Sequence, residues 1–132
     1  MITTNLRTNQ LSPEAYAWYL DYLAALDARD IDAYAVHLAD GVSVQFNNDE
    51  SVVGKAAAVA MLGGYWQSFA GLEHDLTNIY GDDRGFVLEA LNHYIRHDGE
   101  RVTTRATAFT DRDGTGLVTS VRVYADASPV FA

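Results

Sequence analysis

Two ionisable residues, Glu89 and His93, stand on one side of a single β-rich run in the second half of the chain. A histidine beside a carboxylate can take and return a proton near neutral pH, and the carboxylate can orient the ring or raise its pKa. Their shared face is read from parity. Asp98-Gly99 as a two-residue hairpin turn sets His97 opposite Glu100 and His93 opposite Thr104. With even loops also at 81–84 and near Gly114, one face collects Leu76, Tyr80, Val87, Leu91, Ile95, Val102, Ala106, Ala108, Val121, Val123 and Ala125. That face is expected to be the core. His74, Asn78, Glu89, His93, Thr104, Thr110 and Thr119 are its polar exceptions. Burying an ionisable group costs free energy unless it is paired, so Glu89 and His93 are the first candidates for chemistry. The other face mixes Tyr94, Phe109 and Tyr124 with Asn92, Arg105, Thr107 and Arg122, a composition that suits a subunit interface.

The elements that must position these groups follow from periodicity. Ser12-Pro13-Glu14 is a helix start: serine caps, proline fits the first turn and the carboxylate favours the positive helix end. Tyr16, Tyr19, Leu20, Leu23 and Leu26 continue it at helical spacing, with Trp18 and Tyr22 widening the stripe. Asp30 caps a short second helix over 31–38. Asp40-Gly41 reads as a turn, and Val42, Val44 and Phe46 alternate as one face of a strand. A short strand over 51–53 and a third helix over 55–69 follow, the helix with Val59, Leu62, Trp66 and Phe69 inward. Four strands then form an antiparallel meander. The order ααβαββββ, with helices segregated against an antiparallel sheet, is an α+β domain over 12–129, preceded by a polar flexible arm over 1–11.

Composition narrows the functions. The chain has 132 residues, no cysteine and a formal charge of −9. One domain with one core is expected, without thiolate chemistry or disulfides. Eighteen acidic residues against nine basic ones would repel phosphate backbones, so neither nucleic acid nor an anionic membrane is expected as a partner. No leader is read at the N-terminus, and an intracellular, cytoplasmic location is expected. His93 and His97 lie four residues apart on a strand, about 13 Å, too far to share one metal ion.

The sequence resembles the NTF2-like superfamily in its SnoaL-like branch. The likeness rests on the run from Tyr22 to Asp30 (YLAALDARD), on LADGVSV over 38–44, on Gly54 opening the third helix, on HDLTN from His74 to Asn78, on the Asp98-Gly99 hairpin and on RVYAD from Arg122 to Asp126. It implies a cone in which a bent sheet wraps a long N-terminal helix around a pocket, and a homodimer through the outer sheet face. It also implies relatives as varied as ketosteroid isomerases, polyketide cyclases, limonene epoxide hydrolases and proteins that catalyse nothing. Tyr22 matches the tyrosine that serves the oxyanion in the isomerases. Their base falls at Phe46 and their second aspartate near Ala108, so steroid isomerisation by that set is not expected. The epoxide hydrolase aspartates fall at His93 and Val123 and the intervening arginine at Leu91, so that constellation is absent too.

The catalytic set is therefore read as His93 to move a proton, Glu89 to position it and Tyr22 to stabilise developing oxygen charge. Trp66, Trp18, His74, Asn78, Phe46, Leu91, Thr104 and Val123 are read as the lining that binds the substrate. The expected activity is cofactor-independent acid–base chemistry on a small apolar molecule, as an isomerase, cyclase or dehydratase, with no metal. The alternatives are a non-catalytic ligand-binding or assembly protein and an epoxide or ester hydrolase using water activated by His93.

Overall fold

A computed structural model describes residues 1–8 and 11–132. Helix α1 (Pro13–Asp27) starts where the capping signal lies: the Ser12 side chain accepts from the Ala15 N–H at 3.1 Å, with Pro13 in the first turn. Asp30 caps α2 (Ile31–Ala35) through the Ala33 N–H. Helix α3 (Lys55–Trp66) follows Gly54, whose φ of 103° is a left-handed conformation that glycine adopts without strain. Arg29 ties these helices together. Its guanidinium donates to the carbonyls of Trp66, Phe69 and Ala70, the oxygens left over where α3 ends.

The strands are β1 (Arg7–Thr8), β2 (Leu38–Phe46), β3 (Val52–Val53), β4 (Gly71–Gly81), β5 (Gly85–Ile95), β6 (Arg101–Arg112) and β7 (Val118–Ala125). They form one bent sheet in the order β1-β4-β5-β6-β7-β2-β3. The meander β4 to β7 is antiparallel, as expected, whereas β2 joins β7 in parallel and β1 joins β4 in parallel. The expected α+β cone is the observed architecture. Tyr19, Tyr22 and Leu23 of α1 pack with Leu38, Val44, Leu76 and Phe86 of the sheet, all at most 2% exposed.

Two local expectations are corrected. Asp40-Gly41 is not a turn but lies within β2, at a register irregularity between Leu38 and Ser43. The polar stretch expected as a flexible arm is laid along β4: Ile2 bridges Asp75, and Arg7 and Thr8 pair with Asn78 and Ile79. Asn9 and Gln10, placed in the same arm, lie outside the described residues. Among the described residues, no helix is long and apolar enough to cross a membrane.

Candidate active site

Parity decides what faces the hollow of the cone, and two backbone features set it. The Asp98-Gly99 turn is a longer hairpin than expected. Ile95 pairs with Arg101, and Gly99, at φ 86°, donates to the Arg96 carbonyl while the Arg96 N–H donates to Glu100. This is a type I turn closed by a glycine bulge, and it leaves an odd number of residues between the paired ends. The second feature is a bulge in β4 between Leu76 and Asn78. Below it, Leu72, His74 and Leu76 share a face with Tyr94, Asn92 and Ala90. Above it, Asn78 and Tyr80 share the opposite face with Glu89 and Val87.

The inner face of β5 is therefore Leu88, Ala90, Asn92 and Tyr94, and the expected assignment of that strand is inverted. His93 stands on the outer face, where Nδ1 bonds the Thr103 hydroxyl at 2.8 Å and Nε2 lies 3.6 Å from Asp75. Glu89 is also outside, exposed, and accepts from the Asn78 amide. Four strand residues, about 13 Å of rise, separate it from His93, so it does not orient that ring. Leu91 and Asn78 share the outer face and do not line the cavity. Trp18 points away from it, stacked on Tyr22 and Phe86 with the Arg112 guanidinium over its ring. Thr104 faces inward on β6 but is not in the lining, and its hydroxyl is buried without a partner among the described residues.

Tyr22, Trp66, Phe46, Val123 and His74 do line the cavity, which encloses about 390 Å³ between α1, α3 and the sheet. His74 is its one imidazole. The ring is held from α1: Nδ1 lies 3.0 Å from Asp27 Oδ1, which also accepts the His74 backbone N–H at 2.6 Å. Burial pushes the Asp27 carboxyl up. The hydrogen bonds from the His74 ring and backbone, with one from the Met1 amino group, outweigh that effect and hold its pKa down at about 2. Asp27 is thus ionised and can only accept, so Nδ1 carries the proton. Nε2 makes no hydrogen bond among the described residues, and in the neutral ring it is the nitrogen that can accept a proton.

Because the Asp27 pKa lies below its ordinary 3.8, the folded protein favours the carboxylate. That contribution is complete above about pH 4 and is lost as pH falls through about 2. Asp27→Asn is expected to cost about 1–2 kcal/mol at pH 7, after discounting for the part of the group open to water. The deficit should shrink to about a third of that by about pH 2.5. Urea midpoints at the two pH values check this, and an equal deficit at both would refute it.

Two tyrosine pairs add to the polar lining. Tyr22 and Tyr34 share a hydrogen bond at 2.8 Å between hydroxyls, as do Tyr65 and Tyr94. Burial, with the neighbouring hydroxyl adding to it, pushes Tyr22 well above the usual phenol range, and burial pushes Tyr34 up to about 12. Each pair spends one O–H on the mutual bond, leaving the other to donate. The rest of the wall is mostly apolar, with Asn47, Asp49, Asn92 and Thr110 as its further polar members. Among the described residues no three His, Asp or Glu side chains converge as metal ligands would.

Sequence reasoning missed Asp27, Tyr34, Asn92, Tyr65 and Tyr94. Asp27 entered only as part of the YLAALDARD run from Tyr22 to Asp30. Asn92 and Tyr94 were lost with the parity of β5, whose odd and even positions are almost equally apolar.

The family model for a SnoaL-like domain matches residues 19–121. No curated protein matches the chain. Among solved structures, an NTF2-like protein of unknown function from Burkholderia pseudomallei K96243 is 11% identical. It superposes with a TM-score of 0.79 over 91% of this chain and 96% of its own. An LEH-like epoxide hydrolase from M. tuberculosis is 23% identical, with a TM-score of 0.73 over 89% of this chain and 86% of its own. A structure from Jannaschia sp. CCS1 named for a SnoaL-like polyketide cyclase is 17% identical, with a TM-score of 0.73 over 87% and 90%. At such identities the structural likeness is one of fold. The matched span covers most of the sequence, from within α1 to within β7, and the chain belongs to the SnoaL-like domain family.

Proposed function

We propose that this domain catalyses a cofactor-independent proton transfer on a small, largely apolar molecule, as an isomerase, cyclase or dehydratase. The observation that carries the reading is the Asp27–His74 pair: a buried imidazole with one nitrogen fixed by a carboxylate and the other free, in an apolar cavity. His74 Nε2 takes a proton from carbon next to a carbonyl, and Asp27 stabilises the imidazolium that forms. The O–H that the Tyr22–Tyr34 pair has to spare donates to the oxygen on which charge develops. His74 then returns the proton to a different carbon or to a leaving oxygen.

Deuterium uptake tests this without knowledge of the natural substrate. The protein is incubated in D2O with a panel of ketones such as cyclohexanone and 1- and 2-tetralone, and exchange next to the carbonyl is followed by NMR. Uptake above the protein-free rate is expected. No uptake from any member would refute proton transfer and leave a binding pocket.

We also propose that a second copy covers the outer sheet face. Leu91, Ile95, Phe109 and Tyr124 stand there among Thr103 and Arg105, the mixed apolar and cationic composition of an interface. Sedimentation should give a dimer for the natural chain and a monomer for Leu91→Arg. A natural chain that sediments as a monomer at micromolar concentration excludes the pairing.

A further inference from the structure

Three polar side chains form a row across the inner face of the sheet. In register, His74 of β4 stands opposite Asn92 of β5, and Asn92 stands opposite Thr104 of β6. Side chains directly opposite one another have their Cβ atoms about 4.5–5.5 Å apart, so Asn92 is the nearest cross-strand neighbour of the imidazole. Asn92 is 7% exposed and lines the cavity, yet its side chain makes no hydrogen bond to the described residues. Its Oδ1 is buried without a partner among the described residues, and no hydrogen bond engages the Nδ2 donor there. The amide therefore offers the cavity a donor. A buried amide without a partner carries a desolvation cost, and nothing in the packing explains its retention.

The charge of the lining restricts what that donor can meet. No lysine or arginine lines the cavity, and its one carboxylate, Asp49, lies at an exposed position. The chain as a whole carries −9. A carboxylate or phosphate ligand would meet no counter-charge and would pay its full desolvation.

We infer that Asn92 is the residue that selects and places the substrate, by donating from its amide to an oxygen of an uncharged, mostly apolar molecule directly across from His74. This rests on the reading of the cavity as the site of proton transfer. The amide would fix the oxygen while the adjacent carbon faces the imidazole, so recognition and proton transfer would be set by two neighbouring strands of one rigid sheet. Anionic substrates of the same size would be refused.

The test uses three probes of one ring system: 2-naphthol, naphthalene and 2-naphthoate, with binding followed by tryptophan fluorescence, Trp66 being in the wall. The natural chain is expected to bind 2-naphthol at least tenfold more tightly than 2-naphthoate. Asn92→Leu should weaken 2-naphthol roughly tenfold and leave naphthalene unchanged or tighter. Asn92→Val, which also removes the donor and offers no acceptor, should weaken 2-naphthol as well, so the result does not depend on one variant folding. Equal changes for 2-naphthol and naphthalene, or no change for either, would overturn the assignment of Asn92. Naphthoate binding as tightly as naphthol would overturn the exclusion of anions. A natural chain that binds 2-naphthol through Asn92 but promotes no deuterium uptake would refute the proton-transfer reading alone. A natural chain that binds none of the three probes would refute both.

Discussion

His74→Ala is expected to slow deuterium uptake by a factor of about 10²–10⁴, the usual contribution of a positioned general base. The variant should stay folded. The lost ring leaves a cavity next to an existing one, and Asp27 keeps its bond to the backbone N–H of residue 74, so the carboxylate is not stranded. Asp27→Asn should cost less in rate, because it acts through the imidazole. An amide at position 27 can still bond the ring but cannot stabilise the imidazolium, so the loss should fall on turnover and not on binding of 2-naphthol. His93→Ala supplies the contrast. That ring is bonded to Thr103 on the far side of the sheet, and its removal should leave the exchange rate within about twofold. If His93→Ala abolishes exchange and His74→Ala spares it, the site has been placed on the wrong face.

The contrast between these two histidines marks how far the sequence can be read. The helix starts at Ser12 and Asp30, the third helix after Gly54 and the antiparallel meander were all legible, because caps, glycines and apolar periodicity act over a few residues. The inner faces of β6 and β7 were legible too, since Val102, Ala106 and Ala108 alternate with charged or larger polar neighbours. Strand β5 was not. Val87, Leu91 and Ile95 on one parity match Phe86, Leu88 and Ala90 on the other, so apolarity alone gives no preference. The decision passed to the turn, where Asp98-Gly99 is compatible with a two-residue loop and with the longer bulged loop that forms. One residue of difference moved His93 out and Asn92 in. The Leu76–Asn78 bulge left no clear mark in the sequence, and Asp27 became visible as a partner only once α1 and β4 were adjacent in space.

Because so much rests on register, the largest stability effect is expected where register is fixed by the backbone itself. Gly81 closes the β4–β5 hairpin opposite Phe86, at φ 118°, with a Cβ position only 2.0 Å from the Gly85 carbonyl oxygen. No side chain can relieve that contact, since the obstacle is main chain, and an L-residue is strained at that φ in any case. The loop it closes is also tied down. Asp82 Oδ1 accepts the Arg84 and Gly85 N–H groups, and the Gly85 carbonyl in turn accepts the Asp82 N–H. Gly81→Ala must break this set or move the strands apart. A loss of about 3 kcal/mol or more is expected, a fall in Tm of roughly 10 °C. Gly63→Ala is the matched control: it lies within α3, a Cβ there meets nothing within 4 Å, and alanine is the better helix former by about 1 kcal/mol. The control should hold or raise Tm. The strain at Gly81 also bears on the site, because the same hairpin aligns His74 with Asn92. Surviving Gly81→Ala molecules should therefore lose 2-naphthol affinity more than naphthalene affinity. A variant with an unchanged Tm would mean that the turn relaxes freely, and that the alignment of His74 with Asn92 is held by the Leu76–Asn78 bulge alone.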